Sequence, residues 1–356
     1  MRLFTCPKCE DPLHFEDYEC AACETMVGFQ TTTLTMERVG TEGRRLCSNA
    51  EHRACNWLVE EGSANEFCMA CDLNNIIPDL EFPGNLELWR HVEVAKHRLL
   101  YSLLRLGLPI YGKEVDRETG LQFDFVRDGG VDDRENPVNT TGHTNGVITL
   151  NVAEADDAAR EERRMAMGEP YRTLLGHFRH EIAHYYWQIL LEDSPRHEAY
   201  RECFGDERAN YGESLKRHYE KGAPKDWADE FISEYASAHP WEDWAETTAH
   251  YLHIMDTLET AQAFGLRVKP KGADAEMTTN VNFDPYEQKS FDKIMSAWYP
   301  LTFALNSLNR SMGFRDLYPF VLKEPVIRKL EFLHSSCINR ARRSGVKPEE
   351  PAAEKK

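Results

Sequence analysis

The chain has 356 residues, 41% of them hydrophobic, which is enough for one large domain or two smaller ones with real cores. Its formal net charge of −18, with no dense Lys/Arg run, opposes non-specific binding to phosphate backbones and anionic membranes. Leu99–Leu108 is short and broken by Arg105, and Met1-Arg2-Leu3-Phe4-Thr5-Cys6-Pro7 lacks an apolar secretory core, so the expectation is a soluble, cytoplasmic protein.

Eight of the 10 cysteines lie before residue 72; Cys203 and Cys337 stand alone. Without a secretory signal, paired Cys-x-x-Cys spacing points to thiolate metal sites rather than disulfides. Cys6, Cys9, Cys20 and Cys23 form two knuckles ten residues apart, which together make a closed tetrahedral site for structural zinc. Cys47, Cys55, Cys68 and Cys71 suit a second site. Only its last pair has knuckle spacing, so His52 could replace Cys55, and the two sites could exchange ligands. A module of this size needs such staples, because Thr25–Thr35 and similar short strand-like pieces bury little core. Residues 1–72 carry 6 Lys/Arg against 13 Asp/Glu, which disfavours nucleic acid as their ligand.

Turn residues at Asn74-Asn75, Pro78 and Pro83-Gly84-Asn85 mark a linker. The expected organisation is a zinc-ribbon module over residues 1–75, a second domain over 76–340 and a disordered tail over 341–356. A helix begins at Leu86, and Leu121–Val126 alternates like a strand. A loop follows over Arg127–Asn145, then a strand over Gly146–Val152. Helices are expected over Ala153–Met167 and Tyr171–Leu191, and the remainder reads as mostly helical.

His180-Glu181-Ile182-Ala183-His184 carries the chemistry. On a helix, residues four apart share a face, so both imidazoles can hold one zinc, with Glu181 placed to take a proton from its water. Zinc lowers the pKa of that water to about 7. Apolar flanks such as Phe178, Ile182, Tyr185 and Trp187 place this helix in a core, where two His and a Glu need a partner. The extended metzincin pattern is excluded, since Trp187 and Leu190 stand where it requires Gly and His. The third ligand falls to Glu242, one turn from Glu246 after the helix start at Pro240. Glu246 would fix a ligand imidazole from behind. Asp206 and Glu207 are rivals, but Gly205-Asp206 reads first as a turn.

Leu174-Leu175-Gly176-His177-Phe178-Arg179-His180-Glu181 with its continuation to Trp187, Phe204–Arg208 and His239–Thr247 resemble the bacterial family of zinc-binding metallopeptidases with an N-terminal zinc ribbon. The likeness extends to Gly146–Asn151 and Asn306–Gly313. Ala183 stands where many members have Gly. Glu242-Asp243-Trp244-Ala245-Glu246 is also similar to the corresponding segment of lethal-factor-type gluzincins. That resemblance implies Glu242 as the zinc ligand and Tyr235, seven residues earlier, as an oxyanion donor. It further implies an edge strand above the metal that pairs with extended substrate. Val147–Val152 is the candidate, with Val147 and Thr149 as substrate contacts and His143 just before it.

The resulting expectation is an α+β fold: a mostly helical, gluzincin-like metallopeptidase domain preceded by a small zinc-ribbon module. It would hydrolyse peptide or isopeptide bonds, with one catalytic and one or two structural zinc ions, and with protein or peptide as substrate. The competing readings are a ribbon that docks a protein partner beside a structural or weakly active zinc centre, and a hydrolase of non-peptide amides.

Overall fold

The structure, a computed structural model, describes residues 2–59, 62–127, 130–131, 137–138, 141–167, 173–272 and 275–338. The charged tail, much of the loop after Arg127, the first residues of the helix expected from Tyr171, and the side chain of Cys337 lie outside that description.

Three hairpins build the N-terminal module: β1 (Phe4–Thr5) with β2 (Pro12–Leu13), β3 (Val27–Gln30) with β4 (Thr35–Arg38), and β5 (Arg45–Leu46) with β6 (Leu58–Val59). A helical turn, α1 (Met69–Asp72), and strand β7 (Asn74–Ile76) lead to the long helix α2 (Asn85–Leu106). Gly84 and Gly107 bracket α2 with φ of 87° and 64°, a left-handed conformation that costs glycine least.

The module does not own its core. Phe4, Phe15 and Phe29 close around Tyr101 of α2, with ring centroids 5.3–6.3 Å away, and Trp57 packs on His97 at 4.9 Å. Each ring buried there contributes roughly 1.5–3 kcal/mol. Residues 1–72 are therefore stapled by their cysteines and also completed by α2.

Strand β8 (Gln122–Val126) follows, then the short hairpin β9 (Gly130–Val131) and β10 (Pro137–Val138), then β11 (Gly142–Thr144) and β12 (Val147–Asn151). The main sheet has the order β11-β12-β8-β7, with β12 and β7 parallel to β8 and β11 antiparallel to β12. This corrects the sequence expectation. Val147–Asn151 pairs on both sides, so its main chain, including that of Val147 and Thr149, has no free groups for a substrate strand. The outer strand is β11. Asn145 (φ 47°) and Gly146 (φ 80°) make the two-residue turn that folds it back, and a Cβ on Gly146 would strike Gly120 O at 2.2 Å.

Next come α3 (Asp157–Met167), α4 (Leu174–Leu190), α5 (His197–Phe204), α6 (Tyr211–Lys221), α7 (Trp227–Glu230) and α8 (Pro240–Ala263). A 3-10 turn, Val152–Ala155, separates α3 from the sheet, so the expected helix from Ala153 starts late, with Asp156 Oδ1 accepting from Ala159 N. A small hairpin, β13 (Arg267–Val268) and β14 (Thr279–Asn280), precedes α9 (Phe291–Ser311) and α10 (Glu324–Phe332). Helices thus outweigh strands, as the α+β expectation required. Among the described residues, no helix is long and apolar enough to cross a membrane.

Candidate active site

Thr173 Oγ1 accepts from Gly176 N at 3.0 Å and starts α4. Phe178, Ile182 and Tyr185 are buried along it, and α8 crosses the helix. The Trp244 indole donates to Ala183 O at 2.8 Å, which fixes the register of α8 on α4. The buried methyl of Ala183 permits that close approach. At the head of α8, His239 Nδ1 accepts from Trp241 N at 3.1 Å and Pro240 occupies the first turn. Glu242 and Glu246 then leave successive turns toward His180.

The three expected ligand atoms converge. His180 Nε2 and His184 Nε2 are 3.2 Å apart, and Glu242 Oε2 lies 3.1 and 3.7 Å from them. Two nitrogens bound to one tetrahedral zinc at 2.0–2.1 Å stand about 3.3 Å apart, so the arrangement fits the ion. Glu242 Oε2 is buried and meets no donor in hydrogen-bonding geometry among the described residues, which leaves a lone pair for a cation. Behind the ligands, His180 Nδ1 donates to Glu246 Oε1 at 2.7 Å, and Ser233 Oγ donates to Glu246 Oε2 at 2.7 Å. Tyr211 OH donates to Glu242 Oε1 at 2.6 Å.

Burial pushes the Glu242 carboxyl up, but His180 and His184 outweigh it and hold the group at about 2. Burial likewise raises Glu181, and the neighbouring His177 and His180 more than offset this, so Glu181 is a carboxylate at neutral pH. Burial pushes His184 down and keeps it neutral, the form that binds metal.

The other expected residues are placed as follows. The Tyr235 ring lies 5.9 Å from the His180 ring, on the 3-10 turn Tyr235–Ala238. Burial and the Glu242 charge push its phenol up, so it stays a donor. His143 sits on β11 and its ring stacks 6.4 Å from His184, which brings a loop candidate to the site. The rival carboxylates are engaged elsewhere: Glu207 with Arg201 and His197, and Asp206 with Arg208. Burial pushes the Cys203 thiol up to about 11, which makes it a poor nucleophile.

Cys6, Cys9, Cys20 and Cys23 gather in one cluster, and Cys47, Cys55, Cys68 and Cys71 in another, without exchange between them. Neighbouring sulfurs lie 3.6 Å apart, near the roughly 3.8 Å expected around a zinc at 2.3 Å. His52 stays outside, half-exposed beside Glu51 and against Trp89.

Sequence reasoning gave no role to Tyr211, Ser233, Glu154 or His177. Tyr211, Ser233 and Glu154 reach the site from other segments, which no spacing pattern marks, whereas His177 stands four residues before Glu181 on the same helix, a spacing the sequence does display. The edge strand had a visible signal, Asn145-Gly146, which is the strongest short hairpin dipeptide.

The family described as "Putative zinc-binding metallo-peptidase" matches residues 85–336, and a zinc-ribbon domain family matches residues 3–82. Proteins of Mycobacterium tuberculosis and Mycobacterium bovis, both described as uncharacterized, are each 42% identical over 337 residues, covering 94% of this chain and 95% of theirs. No solved structure matches. With both matches in chain order and the converging His180, His184 and Glu242 inside the longer one, the chain belongs to this zinc-binding metallopeptidase family and carries its zinc ribbon at the N-terminus.

Proposed function

We propose that the protein is a gluzincin-type zinc peptidase that hydrolyses peptide or isopeptide bonds, with zinc on His180, His184 and Glu242 and structural zinc in each four-cysteine cluster. The observation that carries the reading is the convergence of two imidazole nitrogens and one buried carboxylate oxygen beside the buried Glu181. Zinc held there supplies a Lewis acid for the carbonyl and an acidified water at neutral pH. Glu181 takes a proton from the attacking water and returns it to the leaving amine. Tyr235 donates to the oxyanion. Tyr211 holds Glu242 by its other oxygen. An extended substrate pairs along β11, whose one partner strand among the described residues is β12, and passes His143.

The test is elemental analysis joined to a peptide library. Wild type should hold about three zinc ions per chain and His184→Ala about two. New peptide termini should arise with wild type alone. Equal zinc in both proteins, or no cleavage of any peptide by a fully loaded chain, overturns the reading.

Glu246→Gln should weaken zinc binding at this site about 10- to 100-fold, since the carboxylate fixes the ring and basicity of His180. Competition with a chelator measures it. Unchanged affinity would mean that Glu246 orients nothing.

A further inference from the structure

We propose that His177 is a positioning residue for the general base, the middle member of a buried chain Glu154–His177–Glu181 that aims the Glu181 carboxylate. The inference rests on Glu181 acting as proposed above. His177 lies one turn before Glu181 on α4. Its Nδ1 donates to Glu154 Oε2 at 2.6 Å, and its Nε2 lies 3.4 Å from Glu181 Oε1. Glu154 is itself buried and fixed, with Oε1 accepting from Thr141 Oγ1 at 2.6 Å. It sits on the 3-10 turn that leaves β12. The chain therefore runs from the sheet into the site and ties Glu181 to a rigid element.

A glutamate has three rotatable bonds, and a base displaced by about 1 Å can lose on the order of 10²-fold in rate. Among the described residues, His177 is the one side chain brought within hydrogen-bonding reach of the Glu181 carboxylate. Its Nδ1 is bonded to one carboxylate and its Nε2 lies beside a second, so the ring serves both only when doubly protonated. Burial pushes the ring down, and Glu154 and Glu181 together bring it up to about 9. A histidine that merely fills space needs neither carboxylate.

The experiment uses the zinc-loaded full chain with 13C-labelled histidine, the His177 signal being assigned through His177→Gln. In wild type the ring, set between two carboxylates, should titrate above its midpoint in Glu181→Gln. The difference should be about one unit, since the substitution removes one of two charge partners. Identical midpoints overturn the inference. On a peptide that wild type cleaves, His177→Ala and the shape-conserving Glu154→Gln should each lower kcat about 10- to 100-fold, with KM within about twofold and zinc content intact. A lost zinc or a changed KM with unchanged kcat overturns it, because that is what a structural role gives. If Glu181→Gln cleaves as wild type does, the base reading fails and takes the positioning role with it. If Glu181→Gln is inactive while His177→Ala and Glu154→Gln keep full kcat, the positioning role fails alone.

Discussion

Glu181→Gln should lower hydrolysis about 10²- to 10⁴-fold while leaving zinc content and folding in place. The two side chains have nearly the same shape, so the cavity between His177 and the ligand pair stays filled. What changes is the proton chemistry. A carboxamide oxygen has no useful basicity at neutral pH, whereas Glu181 is held in its carboxylate form by His177 and His180 against the burial that opposes it. The metal ligands are not altered, because the second nitrogen of His180 is held by Glu246 and not by Glu181. Stability should change little. Burying an amide costs less than burying a carboxylate, and this offsets the lost contact with His177. Zinc per chain, the unfolding midpoint and the rate on a cleaved peptide together decide the matter. An unchanged rate would mean that Glu181 carries no proton and that the chemistry lies elsewhere.

The site was largely legible because its members obey local rules. His180 and His184 are one helical turn apart, Glu242 and Glu246 follow a proline-marked helix start, and the first two cysteine pairs have knuckle spacing. Choosing Glu242 over Glu207 rested on turn chemistry at Gly205-Asp206, and Arg201 and His197 indeed occupy Glu207. What stayed hidden depends on contacts between distant segments. Glu154 meets His177 from the end of a strand, and Tyr211 reaches Glu242 from the start of another helix. The misplaced edge strand is different in kind. Taking Gly146 as the start of a strand rather than the second half of a turn moved the edge from β11 to β12. The shared aromatic core was also beyond the sequence, because Phe4, Phe15 and Phe29 meet Tyr101 only in three dimensions.

That shared core makes Cys71→Ser the most destabilising substitution expected here. All four sulfurs of the second cluster are buried, and Cys71 Sγ lies 3.9 Å from Glu93 Oε2 on α2. Glu93 in turn pairs with the fully buried Lys96 at 2.8 Å, and the Lys96 ammonium lies over the Phe123 and Phe125 rings of β8. Trp57 N donates to Cys55 Sγ at 3.3 Å, and the Trp57 ring covers His97. A serine is a poor zinc ligand, and three thiolates would remain in a site that water does not reach. Structural zinc in small folds contributes on the order of 10–16 kcal/mol of apparent binding energy, comparable with the roughly 5–15 kcal/mol that holds a whole domain. Losing even a third of it, about 3–5 kcal/mol, should lower the unfolding midpoint by about 4–7 °C, given an unfolding entropy of roughly 2.1 cal/mol/K per residue over 356 residues. The loss should not stop at the ribbon. Uncovering Tyr101 and His97 strips one face of α2, and α2 packs on α4, which carries His180 and His184. The expected result is one fewer zinc per chain, a single lowered transition, and weaker retention of zinc at the His180–His184–Glu242 site. An early transition for the ribbon alone, with the remainder melting as in wild type, would show that the two parts are coupled only by the chain between them.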